Sequence, residues 1–240
     1  MPLPHINVIG SGKLGRTLVR LFVDQKLVQP GDFFNRDATH SAAAVKFCGG
    51  GQSSPSLAEM GSAELWLLAT PDDALGEVAC SLAACRHDWA RTIVFHASGL
   101  HSSTLLEPLK NRGAAVASAH PVHSFANPAQ SLTSYHGTAC TIEGDPLATI
   151  RLGDLFSNIG SSVIPLSAAG KAVYHAATVV ASNYLVALQQ ISQDMLVQAG
   201  MGAIDAQRIL QPLMDQSLLN IRDNGSVNAL TGPVSRGDIQ

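Results

Sequence analysis

The run His5-Ile6-Asn7-Val8-Ile9-Gly10-Ser11-Gly12-Lys13-Leu14-Gly15 constrains this chain more than any other stretch. A short apolar strand breaks into Gly-x-Gly-x-x-Gly, and the residues that follow take up helical periodicity. In a strand-turn-helix of this kind each glycine has its own task. Gly10 makes the tight turn, Gly12 lets a pyrophosphate reach the backbone, and Gly15 lets helix and strand pack closely. The helix N-terminus adds unpaired N–H groups and a partial positive charge. Gly10, Ser11, Gly12, Lys13, Leu14 and Gly15 are therefore the expected phosphate cradle of a dinucleotide site.

The next strand ends beside the adenosine ribose in such a fold. Its candidate, Asp32-Phe33-Phe34-Asn35-Arg36-Asp37, puts Asn35 where an NAD enzyme offers an acid, with Arg36 next to it. A guanidinium there forms a charge-assisted fork with a 2′-phosphate, which favours NADP(H) as cofactor over NAD. A register shift of two residues would bring Asp37 to that place and reverse the preference.

Composition narrows the class. With 240 residues, 46% of them hydrophobic, the chain is long enough for one large core or two modest ones. A net charge of -3 and the lack of a dense Lys/Arg block speak against nucleic acid as a partner. Cys48, Cys80, Cys85 and Cys140 form no C-x-x-C pair and read as free thiols in a reducing, cytoplasmic setting. The chain enters its first strand without a signal segment, and no apolar run reaches spanning length, so no membrane partner is expected.

Strand and helix patterns alternate through the first two thirds, the signature of an α/β domain. Residues 64–70, 92–99, 114–122, 138–142 and 162–166 read as further strands. After Ser167 the pattern turns helical, with one long helix over 168–198 and a second over 203–222. The expected architecture is a Rossmann-type, doubly wound, mostly parallel sheet over residues 1–166, followed by a smaller all-helical domain over 167–240. The first of the two helices is rich in alanine and apolar residues, so burial on several sides is expected. Lys171, His175, Thr178 and Ser182 form one polar stripe along it, with Asn183 beside the stripe. Such a stripe faces either a ligand or a wet domain or dimer seam.

Other chemistry-bearing residues cluster at predicted strand ends, where ligands bind in open α/β sheets. They are Thr70-Pro71, His96-Ala97-Ser98-Gly99 and Ser118-Ala119-His120-Pro121-Val122-His123, and together they outline a wall facing a nicotinamide. His120 and His123 lie one helical turn's worth of residues apart, yet no H-E-x-x-H or cysteine pair accompanies them, so no metal site is expected.

These segments, with Leu230-Thr231-Gly232-Pro233-Val234-Ser235-Arg236-Gly237-Asp238, resemble a family of two-domain oxidoreductase-like proteins. Its members pair an N-terminal NADP-binding Rossmann domain with a helical domain of unknown function, DUF2520. More distantly the chain is similar to pyrroline-5-carboxylate reductases and to 6-phosphogluconate and 3-hydroxyacid dehydrogenases. Its His120-Pro121 element is similar to the His-Pro turn of prephenate dehydrogenases. In the hydroxyacid dehydrogenases a Lys and an Asn on the first long helix of the second domain serve catalysis. The resemblance makes Lys171 and His175 the nearest candidates, although the interval from Lys171 to Asn183 exceeds that family's spacing.

The resulting expectation is an NADP(H)-dependent oxidoreductase that moves a hydride to or from a small, anionic substrate bound between the two domains. His175 or Lys171 would supply a proton, and Ser98 and His120 would position or polarise the substrate. His123, Asn183 and Arg236 are further substrate-binding candidates, Arg236 as a carboxylate clamp. Two other classes stay open, a non-catalytic NADP(H)-binding or sensing protein and an S-adenosylmethionine-dependent methyltransferase. An apolar two-helix domain too thin to bury itself points to a homodimer.

Overall fold

The computed structural model describes residues 2–237. The chain divides into two compact units, Met1–Ala176 and Ala177–Gln240. This division falls inside a helix, later than the end of the sheet.

The first unit alternates strands and helices. In chain order they are β1 (His5–Ile9), α1 (Lys13–Asp24), β2 (Gln29–Phe34), α2 (Ala38–Cys48), β3 (Gln52–Ser53), β4 (Leu65–Leu68), α3 (Asp72–Ala84) and β5 (Ile93–His96). There follow α4 (Glu107–Lys110), β6 (Ala115–Pro121), α5 (Pro128–Ser134), β7 (Ala139–Gly144), α6 (Pro146–Asn158), β8 (Ser162–Pro165) and the first part of α7 (Lys171–Val179). The strands form one sheet in the order β3-β2-β1-β4-β5-β6-β7-β8. Neighbours run parallel except β6 and β7, which are antiparallel, so the sheet is mostly parallel. The two-residue β3 escapes prediction because so short a pairing carries no periodicity.

Burial follows the alternation of a strand covered on both faces. Ile6, Val8, Leu65, Leu67, Ile93 and Phe95 point into one core with Leu18, Phe22 and Phe156. Ile9, Trp66, Leu68 and Val94 point into the other, with Leu75, Leu82, Trp89 and Leu106. Strand order turns back between β1 and β4, which is where such a sheet opens a crevice at its C-terminal edge.

Asn7, 1% exposed, is the polar exception inside β1. Its amide donates to the Gly61 carbonyl at 2.7 Å and accepts from the Asp32 amide at 2.7 Å. Asp32 in turn accepts from the Gly61 amide at 2.5 Å. A Cβ on Gly31 would stand 2.3 Å from Asn7 Oδ1, so glycine is needed to let the clamp close. The register of β1 against β2 shifts between Ile6 and Val8, at the same place.

The second unit holds a π-type turn (Val180–Tyr184) followed by α8 (Leu185–Gln198), α9 (Ala203–Ala229) and α10 (Gly232–Arg236). The expected single helix over 168–198 is thus a 3₁₀ turn, α7, the π-type turn and α8 in unbroken succession. Gly200, at φ +92°, turns α8 towards α9. The expected end near Arg222 is also moved, because helical geometry runs on until Gly225 breaks it at φ 74°, ψ 161°. The expected burial of the first helix is not observed in the single chain. Val186, Leu188, Ile191 and Met195 of α8 are 68%, 59%, 55% and 64% exposed. Among the described residues no helix is long and apolar enough to cross a membrane.

Replacing Asn7 by Leu leaves the Asp32 amide and the Gly61 carbonyl buried without a partner, so the substitution should destabilise the protein by about 3 kcal/mol. Urea unfolding followed by circular dichroism measures it, and a change below about 0.5 kcal/mol would show that the clamp does not hold β1 to β2.

Candidate active site

The glycine loop closes the end of β1. Gly10 adopts φ +84°, and a Cβ there would stand 2.7 Å from both the Ala69 carbonyl carbon and the Thr70 nitrogen. A Cβ on Gly15 would stand 2.9 Å from the Gly10 oxygen and 3.1 Å from Ala69 Cβ, so α1 leans directly on the ends of β1 and β4. At Gly12 an added Cβ meets nothing within 4 Å. Gly12 is the N-cap of α1 and has no side chain to cap it, which leaves the first-turn amides of Lys13, Leu14 and Gly15 to whatever lies before the helix.

Asn35 is the first residue after β2 and braces this loop. Its Oδ1 accepts from the Ser11 amide at 2.8 Å, and its Nδ2 donates to Ser11 Oγ at 2.5 Å and to Ser41 Oγ at 3.0 Å. Both amide hydrogens are thereby used within the protein, and Ser11 is only 3% exposed. Asp37 is turned to a different task. As N-cap of α2 it accepts from the Thr39 amide at 2.8 Å and the Thr39 hydroxyl at 2.7 Å. Those hydrogen bonds hold its carboxyl below the usual range.

Next to the loop lies a cavity of about 800 Å³ at the crevice between β1 and β4. Asn35, Arg36, Asp37 and His40 line it beside β2, Gly10, Gly12, Lys13 and Leu14 line it in the middle, and Thr70, Pro71, Asp72, Ala97 and Ser98 line it beside β4 and β5. The Thr70 hydroxyl is buried and has no hydrogen-bond partner among the described residues. His40 and Asp72 joined this lining without having been expected there.

A second group gathers past Ser98, within the same unit. Lys171, the first residue of α7, is 2% exposed. Its Nζ donates to the Ser98 carbonyl at 2.8 Å and to Ser118 Oγ at 2.5 Å. Ser118 Oγ donates in turn to the Ser98 carbonyl at 3.2 Å. Tyr174 Oη lies 2.7 Å from His120 Nδ1. A Cβ on Gly99 would stand 2.6 Å from His175 Nδ1 and 3.0 Å from His120 Nε2, so both imidazoles pack against the Gly99 α-carbon. Lys171, His175, Ser98 and His120 are thus brought together, with Ser118 and Tyr174 added. Tyr174 had a legible signal, since it lies three residues after Lys171 on a helix.

The histidines divide by their partners. His96 is fully buried, accepts from the Ser98 amide at its Nδ1, and meets the Ser102 carbonyl with its Nε2 at 3.1 Å. It shapes the loop that carries Ser98. His123 points away from the cluster, packing on Phe125 and Tyr135 with Ser134 and Thr138 at hydrogen-bonding range. Asn183 and Arg236 belong to the second unit, in the π-type turn and in α10, and both are exposed. Among the described residues no group of three or more His, Cys, Asp or Glu could hold a metal.

Burial sets the charges here. It pushes His96 and His120 down to about 4, with the Lys171 charge adding to the effect on both, so each imidazole is neutral near pH 7. Burial also lowers Lys171 to about 8, against the opposing pull of Glu143 and Asp72. A lysine with a lowered native value binds fewer protons folded than unfolded between about pH 8 and its model value of 10.5. Stability should therefore rise with pH across that window, relative to a Lys171→Met variant, by on the order of 3 kcal/mol at most. Paired urea melts at pH 7.5 and pH 10.5 measure the difference, and an unchanged gap between the two proteins would mean that Lys171 carries no such penalty.

Comparison with known proteins matches residues 5–121 to a Rossmann-like domain and residues 138–240 to a domain of unknown function, DUF2520. Among solved structures, the Thermotoga maritima protein TM1727 is 26% identical with a TM-score of 0.72, over 97% of this chain and 85% of that one. The Bacteroides fragilis protein BF3122 is 17% identical with a TM-score of 0.80, over 99% of this chain and 87% of that one. The Plasmodium falciparum pyrroline carboxylate reductase with NADP bound is 11% identical with a TM-score of 0.65, over 93% of this chain and 80% of that one. No curated protein matches the chain. A match to a Rossmann-like domain and, after it, a match to the domain of unknown function DUF2520 thus account for most of the chain.

Proposed function

We propose that this protein is an NADP(H)-dependent oxidoreductase acting on a small, anionic substrate. One observation carries the reading: a glycine loop with nothing over Gly12 opens into a cavity that continues from Arg36 to Ser98. The residues fit the cofactor. The uncapped first turn of α1 would take the diphosphate, with Asn35 holding the loop in shape. Arg36 would meet a 2′-phosphate, and Asp37, with its carboxylate spent on capping α2, leaves that role to Arg36. Thr70, Pro71 and Ser98 would flank the nicotinamide. When bound, the cofactor supplies the hydride. The Plasmodium falciparum reductase, whose structure holds NADP, shares this fold and supports the choice of nucleotide.

For the substrate the chain offers Ser98, His120 and His175. Lys171 is too deeply enclosed to touch a ligand, and it acts through the charge and the frame it gives the others. A buried cation beside the neutral His120 imidazole favours an anionic ligand. His175 is then the proton donor. We also propose that the second unit pairs with a second copy. Val186, Ile204 and Leu213 are 68%, 70% and 62% exposed, more apolar surface than a monomer leaves in water without use.

NADPH should bind more tightly than NADH, and Arg36→Ala should remove most of the difference, about 10- to 100-fold. Fluorescence titration of both nucleotides measures this, and equal affinities in the native protein would refute the Arg36 assignment. Sedimentation should find a dimer, with the double variant Ile204→Glu and Leu213→Glu monomeric. A monomeric native protein at micromolar concentration would rule out the pairing.

A further inference from the structure

The edge of His120 that faces Gly99 is chemically undetermined until one knows which ring nitrogen carries the proton. With the proton on Nε2 the ring presents a donor there, whereas with the proton on Nδ1 it presents a base. The two cases assign opposite roles to the same side chain.

We propose that Tyr174 is a positioning residue that holds His120 as the tautomer protonated at Nε2, so that a neutral N–H is offered to an oxygen acceptor of the substrate, a carbonyl or a carboxylate. The contact that decides this joins β6 to α7, Tyr174 Oη lying 2.7 Å from His120 Nδ1. The rings meet edge to face, with centroids 5.7 Å apart and planes at 84°. A phenol is the stronger donor of the pair and an unprotonated imidazole nitrogen the stronger acceptor, so the hydrogen bond runs from Oη to Nδ1. The ring is neutral, and its remaining proton is left on Nε2.

Neutrality follows from the surroundings. His120 is half-buried beside Lys171 and His175, and the Asp72 carboxylate opposes them more weakly. Tyr174 is itself driven upward by burial, which keeps it a phenol able to donate. Position 99 completes the arrangement. A side chain there would stand 2.9 Å from His120 Cε1 and 3.0 Å from Nε2, so only glycine lets the ring lie where it does. Gly99 directly follows Ser98, which lines the cavity. The same device occurs one strand away, where the Ser98 amide occupies His96 Nδ1 and Nε2 faces a carbonyl. Only the identity of the acceptor rests on the proposed function; the tautomer stands on the geometry of β6 and α7.

Nitrogen-15 spectra of the histidine rings test it, taken between pH 5.5 and pH 8 on the full chain, with His120 identified by its loss in His120→Gln. The native protein should show a single neutral tautomer with Nδ1 unprotonated across that range. Tyr174→Phe should give a mixture of both tautomers, while NADPH affinity stays within about twofold. A native ring protonated at Nδ1, a charged ring at pH 7, or an unchanged tautomer in Tyr174→Phe would each overturn the assignment. Should Tyr174→Phe fail to fold, the native spectrum alone still decides the tautomer. Failure of the native protein to bind NADPH would refute the oxidoreductase reading and leave the tautomer result standing.

Discussion

A lysine ammonium taken out of water must find oxygens already in place, and in this protein that need ties three separate elements together. Lys171 begins α7, yet its partners are the carbonyl that follows β5 and a hydroxyl on β6. Leaving the ammonium without them would cost several kcal/mol, so the end of β5, the inner face of β6 and the start of α7 are held in one arrangement. The packing of the two imidazoles on Gly99 depends on it, because Gly99 follows Ser98 in the chain and His120 and His175 sit on the two elements that Lys171 joins. The charge has a second effect, since it helps keep His120 neutral. One buried group thus sets both the frame and the electrostatics of the cluster.

The other half of the site obeys a different rule. Around the glycine loop the constraint is steric, because Gly10 and Gly15 each sit where a Cβ would run into backbone or into Ala69. Asn35 then fixes the loop from the next strand through Ser11 and Ser41. Residues that a binding motif would assign to the ligand are in part spent on the protein itself. Ser11 and Asn35 brace the loop, while the space over Gly12 stays open and Arg36 lines the cavity beside it. Asp37 shows the same economy, its carboxylate turned to the end of α2.

In the second unit, local pattern and tertiary outcome part company. Alanine and apolar residues along α8 imply burial, but a helix pair has too little thickness to surround so many of them. Ala206 of α9 is fully buried, while Ile204 and Leu213 of the same helix stay largely exposed. Hydrophobic composition states that surface must be covered and does not state by what.

Strands, helices and the glycine loop were legible in the sequence because their causes are local: a period of two, a period of 3.6, and a backbone conformation only glycine adopts without strain. The mostly parallel sheet, the crevice at its turning point and the placing of Asn35 after β2 follow from such rules. Local rules also gathered Lys171, His175, Ser98 and His120 as candidates, since strand ends and helix faces repeat in known ways. They did not reveal that Lys171 is enclosed, that His123 turns away, or that Lys171 meets Ser118 and Tyr174 meets His120. Those facts depend on pairs such as Lys171 and Ser98, separated by 73 residues, and on which face each strand presents once its neighbours are in register. Direction and distance between side chains so far apart are set only when the core packs, because nothing in the intervening chain fixes them.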